Sequence, residues 1–169
     1  QWFYNHKGLY APDGGLNMSP RQYLRKTKAG VARFEDVYRS VLEYRKAYPD
    51  KAVVYYAQKF PQLAWASLMA GGSCPDIPVT NHDFLRDVAS MTPSGSDREI
   101  YQMKNAVGDR LIYIDGNMSA SISLRNGLYE LFQVDTKTGV ISKAGSRIHS
   151  SNSTLSLKGP GAFWLRRIR

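Results

Sequence analysis

The sequence predicts an α/β segment followed by an all-β sandwich, and three observations lead there. Between residues 34 and 70 a helix, a short apolar strand and a second helix follow one another, the alternation of a parallel sheet covered by helices. Near residue 92 the apolar spacing shortens from a helical period to strict alternation. Beyond it, roughly seven short runs recur at about ten-residue spacing between Gly, Asn and Asp turns, the pattern of a β-sandwich. Thr92-Pro93-Ser94-Gly95-Ser96 is the most linker-like stretch, so the expected domains are 1–92 and 93–169.

The chain opens on Gln1-Trp2-Phe3-Tyr4, an apolar burst like the end of a buried strand, and Gln1 reads as a cut point rather than a natural beginning. Residues 5–30 are rich in turn formers, among them Pro12-Asp13-Gly14-Gly15 and Ser19-Pro20. Proline fixes φ and glycine accepts φ > 0, so this is turn chemistry. A loop of that length is uncommon unless functional or disordered, and its aromatic and amide content favours function.

The cleanest helix follows. Phe34, Val37, Tyr38, Val41, Leu42 and Tyr48 share one face, with Glu35, Asp36, Arg39, Glu43 and Lys46 mostly on the other. Acids open it, bases close it and Pro49 stops it. Ala52–Ala57 reads as a continuously apolar strand of a buried parallel sheet. Gln62–Ala70 reads as an apolar helix opening after Pro61 and stopped by Gly71-Gly72. Asn81 is an N-cap for a short helix whose apolar face is Phe84, Leu85, Val88 and Met91. In the second half the expected strands are 98–103, 110–114, 119–124, 128–135, 139–144, 154–157 and 162–168. A single strand cannot complete the front sheet, so the remaining strands are expected upstream of Gln1 or in another chain.

Composition supports packed cores: 43% of the 169 residues are hydrophobic and 12% aromatic. The net charge of +9 favours acidic partners, but it is spread evenly. Residues 1–92 carry 12 Lys+Arg against 8 Asp+Glu, and residues 93–169 carry 11 against 6. That spread argues against a nucleic-acid-binding arm. Cys74 is the only cysteine, so no intrachain disulfide forms. There is no apolar run long enough to span a membrane. Glycine-rich nucleotide loops are absent and His6, His82 and His149 are scattered, so no cofactor and no metal site are expected.

Residues 8–22, Gly-Leu-Tyr-Ala-Pro-Asp-Gly-Gly-Leu-Asn-Met-Ser-Pro-Arg-Gln, resemble a segment late in the barrel of bacterial glycoside-hydrolase-like proteins with (β/α)₈ barrels. The resemblance continues in Trp65-Ala66-Ser67-Leu68-Met69-Ala70-Gly71-Gly72-Ser73, similar to a stretch after their last barrel strand. Tyr129–Gly139 and Gly161–Leu165 look like their C-terminal sandwich, a module commonly labelled collagen-binding, a label from which no collagen binding is inferred. Tyr10, Met18-Ser19 and Cys74 depart from the family pattern without touching an essential chemical group.

The resemblance implies that residues 1–92 are the C-terminal part of a TIM barrel and 93–169 a sandwich bracing it. It implies a secreted or periplasmic hydrolase acting on a complex polysaccharide, acidic ones included. The expected partners are that substrate and the remaining N-terminal part of the barrel, with no nucleic acid and no membrane span. Sites in such barrels lie on loops at the C-terminal ends of the strands, so residues 5–30 would line the cleft. Trp2 and Tyr4 would offer stacking faces; Asn5, Asn17 and Gln22 would bond hydroxyls; Arg21 or Arg25 would pair a carboxylate or sulfate on an acidic sugar. Tyr56 and Lys59 are further rim candidates. Most glycosidases need two carboxyl groups flanking the bond. Asp13 sits in a turn and Glu35, Asp36 and Glu43 on a solvated helix face, so the catalytic residues are unknown and expected before Gln1. The rival readings are a non-catalytic carbohydrate-binding module, with Trp164 and the tyrosines as platforms, and an adhesin or nucleic-acid binder driven by the +9 charge.

Overall fold

Apolar residues three and four apart give the first described helix, α1 (Phe34–Ala47), a face formed by Phe34, Val37, Tyr38 and Val41, all buried. Asp36 accepts a hydrogen bond from the Arg33 backbone N–H (3.0 Å), satisfying one of the amides that a helix start leaves orphaned. The helix ends where Pro49 follows Tyr48. These observations come from a computed structural model that describes residues 33–57, 60–145, 148–150 and 154–168. The chain divides into two compact units, Gln1–Asp76 and Ile77–Arg169.

In the first unit α1 packs on α2 (Pro61–Met69). Proline occupies the first turn of α2, and Leu63 to Met69 are buried without a break, as expected of a helix apolar on all sides. Gly71, at φ +75°, supplies the left-handed residue that closes it. Between the helices, Val53 and Ala57 are buried while Val54 and Tyr56 are exposed. Val53 is held by Ser73, whose N–H donates to its carbonyl (2.7 Å). The strand expected at 52–57 forms no ladder among the described residues. Every strand pair described is antiparallel, so the described residues display no part of a parallel barrel.

The second unit opens with α3 (His82–Ala89), capped as its sequence predicts: the Asn81 side chain accepts from the Phe84 N–H at 2.9 Å. Nine strands follow among the described residues: β1 (Thr92–Asp97), β2 (Ile100–Lys104), β3 (Arg110–Ile114), β4 (Ser119–Ser123), β5 (Gly127–Val134), β6 (Ile141–Lys143), β7 (Ile148–Ser150), β8 (Thr154–Lys158) and β9 (Gly161–Ile168). The large sheet runs β1-β2-β3-β9-β5-β6, with β7 also on β5, and β4 pairs with β8 in a second, two-stranded sheet.

Strand alternation builds the core between the sheets. Ile112, Ile114, Leu131, Phe163 and Leu165 of the large sheet pack with Ala120, Ile122 and Leu157 of the small one. The opposite face of β3 and β9 is buried too, through Leu111, Tyr113, Ala162 and Trp164. Two buried faces explain why β9 reads as a continuous apolar run at Ala162–Leu165.

Two expectations change. The linker-like stretch at 92–96 is a strand: β1 pairs with β2 along a register that shifts between Pro93 and Gly95. It sits at the sheet edge and is almost wholly exposed. Proline, glycine and a bulge are what an edge strand tolerates and a linker also favours, so composition alone points the wrong way. Within the second compact unit, which begins at Ile77, α3 packs on the large sheet: Phe84 meets Trp164 edge-on, with ring centroids 5.5 Å apart. Leu85, expected on the apolar face of α3, is exposed.

Candidate functional site

Charged side chains converge in a groove where α3 meets the C-terminal end of β9. It measures about 460 Å³. Beside it lies a buried aromatic cluster. Trp164 is stacked on Phe132 (4.8 Å between centroids) and capped by Phe84. Two residues on along the strand, and therefore on the same face, Arg166 places its guanidinium 5.7 Å from the Trp164 ring centroid, a cation–π contact.

From α3, Asp83 and Asp87 meet Arg166 at 3.4 and 3.5 Å. Arg86 meets the same two carboxylates at 2.9 and 3.5 Å. Glu130 lies opposite Arg166 in register and pairs with Lys143 at 2.8 Å. Arg167 points to the other side of the strand and clips two loops, donating to the carbonyls of Val107 (3.2 Å) and Asn126 (2.9 Å). Gly108 and Gly127 leave room for it: a Cβ on Gly127 would lie 2.9 Å from its Nε. The buried Asp109 accepts from the Arg167 backbone N–H (2.7 Å) and from the Asn105 amide (2.8 Å).

A second ionisable group lies at the turns of the large sheet. Burial, and then the nearby Glu99 carboxylate, push Asp115 up from 3.8 to about 6. Burial and then the Asp115 charge push Tyr113 up to about 12. Such a carboxyl can exchange protons near neutrality, but it lies outside the groove. Among the described residues no three of His, Cys, Asp and Glu gather as a metal site requires.

The positions expected to bind substrate, Trp2, Tyr4, Asn5, Asn17, Arg21 and Gln22, lie outside the described residues, as do Asp13 and Lys59. Tyr56 is exposed, at 63%. Trp164 is not the sugar platform considered from sequence: it is 2% exposed, with both its neighbours aromatic. The groove was not foreseen. Its only trace in the sequence is Arg166-Arg167 directly after an apolar run, facing the Asp83/Arg86/Asp87 charges of a helix eighty residues earlier.

A solved structure titled "Glycoside hydrolase" resembles the chain with a TM-score of 0.53 at 9% sequence identity, over 83% of this chain and 49% of that one. At that identity the likeness is one of fold, and the chain spans about half the length of that structure. No curated protein matches the chain. No described helix is long and apolar enough to cross a membrane. Residues 1–91 match the family model described as "Domain of unknown function (DUF6298)". Those residues are more than half of the sequence, and the chain belongs to that family.

Proposed function

We propose that the chain is the C-terminal part of a glycoside hydrolase acting on a complex polysaccharide, acidic ones included. In this reading residues 1–92 complete a (β/α)₈ barrel whose other strands lie in the same protein upstream, and the sandwich braces it. The observation that carries the reading is the likeness of fold to a glycoside hydrolase over 83% of the chain. The helix, apolar segment and helix of residues 34–69 are consistent with it. The cleft is lined by residues 5–30, with Trp2, Tyr4, Asn5, Asn17, Arg21 and Gln22 as substrate contacts, and the protein works outside the cytoplasm. Catalytic carboxylates come from outside this chain. Five of the acids described are held by cations: Asp36 and Glu43 are bonded to Arg33 and Arg39 on the surface of α1, and Asp83, Asp87 and Glu130 are ion-paired.

The test is release of reducing ends from neutral and uronic-acid-containing polysaccharides by the full gene product. Cleavage of at least one polymer is expected, and Arg21→Ala is expected to lower kcat/KM on acidic substrate by about tenfold or more, one charged hydrogen bond's worth. Failure to cleave any polymer would overturn the reading; unchanged kinetics in Arg21→Ala would remove that residue's role.

A further inference from the structure

We propose that the groove between α3 and the end of β9 is a holding site for one or two units of a neutral sugar chain. The proposal rests on the carbohydrate reading above and gives the sandwich unit a binding role of its own.

Charge selects the ligand class. Arg86, Arg166 and Arg167 line the groove against Asp87, Asp109 and Glu130, and the flanking Asp83 and Lys143 add one charge of each sign. The wall therefore carries no net charge, and it offers no field to draw in an anion or a cation. What it offers is hydrogen bonding. Guanidinium groups donate and carboxylates accept, and neighbouring sugar hydroxyls do both.

The pairing in the groove leaves capacity for such a ligand. Arg86 meets Asp83 at 2.9 Å, but the Arg166–Asp83, Arg166–Asp87 and Arg86–Asp87 links are 3.4, 3.5 and 3.5 Å. These are longer than the mode of about 2.9 Å for charged hydrogen bonds. Asp87 Oδ2 is buried, and Arg166 approaches it only at 3.5 Å, too long for a hydrogen bond of good geometry. Arg86 turns an exposed side chain to solvent at the mouth. Val107 and Ile168 add an apolar margin against which a sugar's C–H face can rest.

The groove is also held in shape before any ligand arrives. Arg166 lies over the clamped Trp164 ring, and Arg167 is tied to two backbone carbonyls. Binding then costs little ordering entropy. At about 460 Å³ the space lies in the lower part of the usual range of roughly 300–1,000 Å³ for ligand pockets. An anionic sugar would have to compete with Asp83 and Asp87 for the same guanidiniums.

The experiment is calorimetric titration of the full gene product with neutral oligosaccharides of about two to four units from hexose and pentose polymers, with digalacturonate as the anionic comparison. At least one neutral sugar should bind, with digalacturonate about tenfold weaker or more. Arg86→Gln should weaken neutral binding about fivefold or more while its exposed position keeps the fold intact, and Glu130→Gln is the second variant. The proposal is overturned if no neutral sugar binds, if digalacturonate binds more tightly, or if both variants bind as the unaltered protein does. Polysaccharide cleavage without neutral binding would sink the groove and spare the hydrolase reading. Neutral binding lost in Arg86→Gln, with no polymer cleaved, would support the groove and sink the hydrolase.

Discussion

Trp164 shows how much a single side chain can anchor. It joins β9 to α3 through Phe84 and to β5 through Phe132, and it carries Arg166 on its face. Truncation to alanine removes all three contacts and leaves a cavity, so Trp164→Ala is expected to cost about 3–5 kcal/mol, read as a lower urea midpoint. The indole Nε1 is buried with no partner among the described residues, so Trp164→Phe, which deletes that N–H, should cost clearly less. Equal losses in the two variants would show that the N–H has a partner after all. Asp115 gives a prediction in pH. Its folded value of about 6 lies above the ordinary 3.8, so folding favours the protonated form. Its contribution to stability is full below 3.8 and is lost as pH rises through about 6. Asp115→Asn, neutral at every pH, should therefore raise the urea midpoint relative to the unaltered protein at about pH 7 and lose that advantage by about pH 3.5. An advantage independent of pH would contradict the assignment. At this scale the sequence was least informative: Trp164 reads as an aromatic in an apolar run, and nothing local says whether its face is open or covered.

Helices and central strands were legible because their signals are local. The Asn81 cap, the Phe84/Val88 stripe and the Pro61 start are each written within one turn of where they act. Asn81→Ala should lower stability by about 1 kcal/mol, measured by thermal denaturation; no change would mean that α3 is held by packing alone. Strands β3, β4, β5, β8 and β9 lie close to their expected bounds, since alternation and turn residues mark them. Two peripheral strands were not legible, although the edge strand β6 was. Thr92–Asp97 buries almost nothing and so leaves no hydrophobic imprint, and Ile148–Ser150 is too short to show a period. The loop at Asp135–Gly139 was legible for a chemical reason. Asp135 accepts from the N–H groups of Lys137 and Thr138 (2.8 and 3.0 Å), and Gly139 takes φ +76°. Those backbone bonds hold the Asp135 carboxyl below its ordinary value.

For the whole molecule, the sandwich could be inferred from the order of short strands, whereas the unit boundary depends on tertiary packing. Because α3 packs on the sheet through Phe84 and Asp83, a fragment of residues 77–169 should unfold cooperatively. A fragment of 93–169, with Trp164 uncovered, should show a urea midpoint lower by more than the roughly 1 kcal/mol of an average substitution. Equal midpoints would place α3 outside the unit. The candidate groove was hidden for the same reason: its two walls are separated by some eighty residues of sequence, and only the fold joins them.

The family match ends at residue 91, while the packing break lies at Asp76/Ile77. Residues 77–91 thus fall within the family match and also within the second compact unit. A hybrid protein spliced at residue 92 would respect the bounds of the family match and still fail, because a foreign sheet would arrive without an indole for Phe84 to meet or an arginine for Asp83 and Asp87. Transplants are expected to succeed only when the junction is moved ahead of Ile77, so that the helix travels with the sheet it covers.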